Sequence, residues 1–341
     1  MPKDNETIQL PLDGPVVPTE PQGFSADQMI RCDECLRANP PTRVNCLYCS
    51  SPLQHTESTA KLRQPVLRQP EKHELGFNCI LLPGQQDSES LAEVARLVKL
   101  TTENVSDLLA ASLPVPLVRT ASKDEAQLVF DRLHELGVQT LSISDEQLGL
   151  HDKNISRARG MVLADDRLTI YQAGGKDALE FAWTDLSLLV VGRLITRRVE
   201  VSERKTRRAE NEIIDSSQFF TDELVFDLYA TNSAQTFRVG SNSFDFSCLN
   251  DRKSLIAGEN LNRLREIITA KSGNVRVDTS YQQVKSLLDL VWLSEQETHS
   301  HGWKRDRPGR YTLGASVLNS NEAQFTRYSR LRHYISEGKV N

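Results

Sequence analysis

The chain has 341 residues, enough for two or three compact domains, of which 38% are hydrophobic and 26% charged. Its 41 lysines and arginines stand against 46 aspartates and glutamates, a net charge of −5. That excludes a globally basic nucleic-acid coat and leaves room for a local basic patch. The longest uncharged apolar run, Leu186 to Gly192, falls far short of the roughly 20 residues that span a bilayer. Pro2 to Asp13 is too polar for a secretory signal, so a cytoplasmic setting is expected.

Residues 1–27 carry Pro2, Pro11, Pro15, Pro18 and Pro21 with few large apolar groups and read as a disordered leader. Residues 28–54 hold four of the six cysteines, as Cys32-Asp-Glu-Cys35 and, ten residues on, Cys46-Leu-Tyr-Cys49. Each C-x2-C is a tight knuckle that turns two thiolates toward one point, and two knuckles supply the four soft ligands of a tetrahedral zinc. The apolar residues available, Ile30, Leu36, Val44, Leu47 and Leu53, make too small a core to order the segment alone. A structural metal fills that gap. Paired disulfides, a redox dithiol and iron with the same ligands are the competing readings. With all four positions filled by protein, a zinc here has no open site for substrate, and its role is expected to be structural.

Asn39 and Cys46 extend the match. Cys35 is followed by Leu-Arg-Ala-Asn39 and then six residues to Cys46, and the segment resembles the Ran-binding-protein-type zinc finger and related bacterial zinc ribbons. The resemblance implies that Asn39 braces the fold. The position two residues before the first Cys, where that family carries Trp, is Ile30 here. Some members of that family bind single-stranded RNA through arginines and a stacking aromatic, and others bind proteins. The resemblance therefore makes Arg31, Arg37, Arg43 and Asn45, with Tyr48 as the stacking residue, candidate RNA contacts. The plain alternative is that arginines offset the net −2 charge of a four-thiolate zinc.

Residues 55–74, with Pro65, Pro70 and many polar side chains, read as a linker. Over 75–146 the pattern predicts a strand at Phe77 to Leu82, then a helix opened by Ser90 and Glu93 as a capping box. A shorter helix starts at Thr102, and a strand covers Val115 to Arg119. A helix opened by Ser122 and Glu125 is closed by Gly137, and a last strand covers Val138 to Ile143. That β-α-α-β-α-β order, with Ser-Lys-Asp-Glu-Ala at 122–126 and Leu-Gly-Val at 136–138, resembles the C-terminal domain of the bacterial ribosomal stalk protein. The adaptor that feeds the Clp protease shares this fold. The Gly- and Lys-rich turn with which the stalk family recruits translation factors is replaced by Leu100-Thr-Thr-Glu-Asn-Val, leaving Lys99 as the counterpart. Cys79 on the first strand reads as a small buried hydrophobe.

From 150 to 272 the period shortens. About seven strands are expected, at 161–164, 168–171, 179–183, 186–194, 224–230, 236–239 and 244–246. An amphipathic helix near 255–270 closes the segment. The phrase Arg-Gly-Met-Val-Leu-Ala-Asp-Asp-Arg-Leu-Thr-Ile-Tyr at 159–171, with that strand count and helix, resembles a pleckstrin-homology-like barrel. Residues 273–341 read as a helical and partly disordered tail. Val284, Leu287, Leu288, Val291 and Trp292 recur at helical spacing, and Phe325, Tyr328, Leu331 and Ile335 allow a last short helix.

Residues 193–208 hold Arg193, Arg197, Arg198, Arg204, Lys205, Arg207 and Arg208 against Glu200 and Glu203. In a barrel of this kind they are expected to form a long loop between strands, offering anion contacts to RNA or an anionic lipid. The interspersed glutamates favour a merely solvated loop. Gly174-Gly175-Lys176 lacks the spacing of a phosphate loop, and no G-x-S-x-G or H-E-x-x-H occurs. His299 and His301 sit in polar sequence and read as solvated.

The expected architecture is multidomain α+β: a small zinc ribbon, a β-α-α-β-α-β domain and a pleckstrin-homology-like β-barrel capped by a helix. The expected function is a non-enzymatic, zinc-binding adaptor with protein partners. The alternative is an RNA- or translation-associated factor acting through the ribbon and 193–208. Neither an anionic membrane surface nor a small-molecule substrate is expected.

Overall fold

The computed structural model describes residues 24–338, leaving out 44, 55, 57–66, 69, 72–73, 85–89, 152–154, 173–177, 207–211, 232, 234 and 308–309. For 203–206, 212–215, 301–307 and 310–313 it describes the backbone alone. The leader expected at 1–27 and the linker expected at 55–74 fall largely outside the described residues. The chain divides into two compact units, Met1–Pro65 and Val66–Asn341.

The first unit contains one antiparallel pair, β1 (Ile30–Arg31) with β2 (Ala38–Asn39). Its core is small. Ile30, Cys32, Cys46 and Leu53 are buried, with Cys35 packed against them.

The second unit begins with the elements expected from the pattern. These are β3 (Phe77–Leu81), α1 (Leu91–Val98), α2 (Thr102–Ala110), β4 (Val115–Thr120), α3 (Lys123–Glu135) and β5 (Thr140–Ser144), the strands forming an antiparallel sheet in the order β4-β3-β5. The helices bury one face each: Val94 and Val98 on α1, Val105 and Leu108 on α2, Val129 and Leu133 on α3. Gly137 takes a left-handed φ of 76° and ends α3, its N–H bonded to the His134 carbonyl, as its C-terminal position requires. The two predicted capping boxes do not form, since neither Ser90 nor Ser122 bonds through its side chain. Thr101 is the residue that caps, its hydroxyl accepting from the Asn104 N–H at 3.2 Å.

Strands β6 (Ser156–Leu163), β7 (Arg167–Gln172), β8 (Ala178–Ala182), β9 (Leu186–Thr206), β10 (Glu212–Ala230) and β11 (Thr236–Gly240) follow, then α4 (Ala257–Ser272). After α4 come β12 (Arg276–Asp278), α5 (Tyr281–Leu288), β13 (Glu295–Arg307), β14 (Arg310–Ser320) and α6 (Glu322–Ser336). The strands join in one nine-stranded sheet, β13-β14-β9-β10-β11-β6-β7-β8, with β12 added parallel to β9. The sheet is curled into a half-barrel.

Three expectations are corrected here. The described residues of 150–272 contribute six strands, not about seven, because 244–246 leads into a 3-10 turn, Phe246–Arg252. The described part of the basic stretch, 193–206, is no loop. Through Thr206 it is the second half of β9, paired with β10 on one side and, from Thr196, with β14 on the other. The described residues of the tail are ordered elements: β13 and β14 pair with each other, and Phe325, Tyr328 and Leu331 of α6 are buried. Polar composition concealed these strands because their ladder bonds are made by backbone, whatever the side chains.

Strand β9 passes between two cores. Leu186 and Leu189 face a cluster with Phe226 and Leu228 of β10, Phe237 and Val239 of β11, and Leu261, Leu264 and Ile268 of α4. Leu188, Val190 and Leu194 face the opposite cluster. That cluster takes in Val225 and Tyr229 of β10, Tyr281 and Val284 of α5, Phe325 of α6 and the helices and strands of 77–148. A sheet buried on both faces needs apolar residues in unbroken runs, which is why 186–192 lacks alternation. Asp227 and Arg238 lie among these buried residues as a bidentate pair, 2.7 and 2.8 Å, both almost fully buried. Burial alone would lower the Arg238 guanidinium, and Asp227 holds it above its ordinary value.

Candidate metal centre

The two C-x2-C knuckles have the same backbone construction. Cys32 N–H bonds to the Arg37 carbonyl at 3.0 Å and Cys46 N–H to that of Ser51 at 2.8 Å, five residues on in each case. Leu36 N–H and Ser50 N–H return to the carbonyls of Cys32 and Cys46, at 2.9 and 3.0 Å. Both turning residues are left-handed, with φ of 60° and 61°. Each knuckle folds its two thiols to one side, and β1 with β2 holds the first in place.

All four predicted ligands are brought together: the Sγ atoms of Cys32, Cys35, Cys46 and Cys49 lie within 4.8 Å of one another. Cys32 and Cys49 lie 3.5 Å apart and Cys35 and Cys46 3.4 Å. A tetrahedron with metal–sulfur bonds of about 2.3 Å has edges of about 3.8 Å, so the cage fits a zinc-sized ion. The distances also stand well apart from the roughly 2.05 Å of a disulfide, and the four cysteines are free. The site can therefore bind a metal, and its donor set is compatible with zinc.

Polar groups around the cage favour thiolate. Although burial raises it, the backbone N–H groups of Tyr48 and Cys49 bring Cys46 down to about 6. The side chain and backbone of Ser51 lower Cys49. Cys35 goes the other way, up to about 12: its backbone bond to Arg37 pulls it down, and burial with the crowding of the other three thiols outweighs that. Four thiols this close cannot all ionise without a cation among them. Asn39 is fully buried and ties the knuckles together, its Oδ1 accepting from Leu47 N–H at 2.8 Å and its Nδ2 donating to Cys46 Sγ at 3.4 Å. Ile30, at the position where the finger family carries Trp, is buried in the small core. Ser51, whose hydroxyl accepts from Cys49 Sγ at 3.4 Å, belongs to no motif. The matching position in the first knuckle, Arg37, was its only signal.

The other candidate residues are dispersed. Arg37 lies over the Tyr48 ring at 4.6 Å, so one face of that exposed aromatic is already covered. Arg31 Nε is bonded to the Leu36 carbonyl at 2.9 Å, and Arg43 Nε to that of Asn45 at 3.5 Å. In the second unit Arg197 and Arg198 are adjacent on β9 and point to opposite faces, so they make no single patch. Arg198 pairs with Glu200 at 2.8 Å. Arg204 and Lys205 are placed on β9 by backbone only, and Arg207 and Arg208 lie outside the described residues. His299 is on β13, 3.4 Å from Glu297. Cys79 is buried, its thiol pushed up to about 12 by that burial. Among the described residues no helix is long and apolar enough to cross a membrane. No protein-family model, no curated protein and no solved structure matches this chain.

Proposed function

We propose that the chain is a non-enzymatic adaptor whose N-terminal ribbon is held by a structural zinc and whose remaining surfaces bind protein partners. The observation that carries the zinc reading is the convergence of Cys32, Cys35, Cys46 and Cys49 to within 4.8 Å, with every ligand position supplied by protein. Zinc, when bound, supplies the positive charge that lets all four thiols ionise together. Asn39 and the N–H groups of Tyr48 and Cys49 orient the sulfurs for it. In this reading 75–146 is a stalk-like domain and 150–272 an open pleckstrin-homology-like barrel. The β4-β3-β5 sheet with its three helices supports the first, and six curled strands against α4 support the second. Two units on one chain suit binding in which one contact raises the effective concentration for the other.

A second reading, RNA association through the ribbon, is favoured by the exposed Arg37–Tyr48 stack. Metal analysis and salt dependence separate the possibilities. One zinc per chain, lost in Cys46→Ser, with no RNA retained at low salt, is the adaptor outcome. RNA retention that falls steeply as salt rises supports the second reading. A chain purified without metal and with an unchanged ribbon would defeat both.

A further inference from the structure

A cleft of 920 Å³ lies in the second unit, between the start of β3, the end of β4, the turn after β5, strands β13 and β14, and α6. Its size is that of small-molecule sites. Three arginines line it, Arg119, Arg157 and Arg327, and two of these are neutralised by the protein itself. Arg119 Nη2 meets Asp145 Oδ2 at 2.5 Å, and Arg157 Nη2 meets Glu322 Oε1 at 2.6 Å. Glu322 also serves Arg238 at 3.0 Å through the same Oε1, so its charge is shared between two guanidiniums.

Arg327 is different. It is drawn into no hydrogen bond or ion pair among the described residues, and its Nε is buried without a partner. Burial, then the proximity of Arg119, lowers its guanidinium from the ordinary value, and the opposing pull of Asp145 and Glu295, neither of which hydrogen-bonds it, does not make up the difference. Glu295, also on the lining, is exposed, and among the described residues it acts on Arg327 only through space, with no hydrogen bond or close ion pair of its own.

The lining as a whole decides what kind of anion fits. Glu74, Asp145, Glu295, Glu297 and Glu322 bring five carboxylates against those three arginines. A phosphate dianion would enter a surplus of negative charge and meet repulsion on most sides. A single carboxylate that carries its own ammonium group is neutral overall and answers both loose ends.

We propose that this cleft binds a zwitterion of the amino-acid or short-peptide class, its carboxylate on the terminal nitrogens of Arg327 and its ammonium toward Glu295. The site is independent of the metal centre and of the adaptor reading. It holds its ligand and transforms nothing.

Isothermal titration of the full chain with glycine, glycylglycine, N-acetylglycine and inorganic phosphate tests it. Glycine or glycylglycine should bind at millimolar concentration, and which of the two is tighter separates a free amino acid from a peptide. N-Acetylglycine, lacking the ammonium, should bind at least about tenfold more weakly, and phosphate weaker still. Arg327→Gln should abolish zwitterion binding without lowering the melting temperature, because it removes a charge that nothing pairs with. Glu295→Gln should reduce the dipeptide to the level of N-acetylglycine. Silence from both zwitterions, phosphate binding as tight as glycylglycine, or binding that survives Arg327→Gln would each overturn the proposal. A fall in melting temperature in Arg327→Gln would overturn its premise.

Discussion

Among the described residues up to Pro65 the aliphatic side chains of the buried core are Ile30 and Leu53, with thiols making up the rest. From Val66 onward two hydrophobic clusters share the strands of one sheet and take in residues from Cys79 to Leu331. Two aliphatics contribute roughly 3–6 kcal/mol at full burial, far less than ordering such a segment costs. The ribbon depends on its sulfurs. The larger unit has apolar area in excess and can accommodate charges such as the Asp227–Arg238 pair. The same chain thus orders one region by ligand chemistry and the other by packing.

The sharpest break in that contrast is metal removal. Chelation, or Cys46→Ser, should unfold residues 24–54 entirely, as followed by amide exchange, and leave the melting of the second unit unchanged. Zinc is worth about 10–16 kcal/mol in comparable fingers. Acidification acts on the same unit. The folded value of Cys46, about 6, lies below the ordinary 9.0. Its thiolate therefore favours the folded ribbon fully above about 9, and that contribution is lost as the pH falls toward about 6. Protons compete with metal for these sulfurs, so zinc retention should decline with acid, and melting of residues 66–338 should not follow it.

Within the second unit the effects are smaller and graded. Asp227→Asn removes the buried carboxylate and leaves Arg238 with Glu322, which is partly exposed and shared with Arg157, and should cost about 3–5 kcal/mol in denaturant unfolding. Asn321→Ala should cost about 1–3 kcal/mol. Its amide accepts from Ile195 N–H at 2.6 Å and donates to the Arg193 carbonyl at 2.9 Å, standing in for a strand where β9 has neither β12 nor β14 beside it. Thr101→Ala should cost about 1 kcal/mol, and Ser122→Ala close to nothing, because only the threonine caps through its side chain. Equal losses at the two positions would break the distinction.

Much of this was legible beforehand. The spacing of Cys32, Cys35, Cys46 and Cys49 fixes the cage because ligand geometry is local. The order of elements over 77–144 could be read because each helix there buries a face of its own. What escaped notice was non-local. The half of β9 beyond Leu194 is rich in charge, and its strand character comes from β14, more than a hundred residues later. Thr196 pairs with Ser320 and Arg204 with Thr312, contacts that leave no periodicity in either segment. Asn321 and Arg327 belong to no motif and carry no signal in the sequence. Only their position against β9 and the cleft gives them work.

Because β9 is apolar on both sides around Leu188–Val191, sliding it by one residue would exchange one aliphatic set for another, and polarity imposes no frame on it. Shape has to do so. At Gly192 a Cβ would come within 2.2 Å of the Phe325 ring, so that ring selects the one bare position along the strand. Asn321 grips the backbone one and three residues further on. Helix α6 therefore acts as a vernier, and the last helix of the chain sets the alignment of a strand formed well before it.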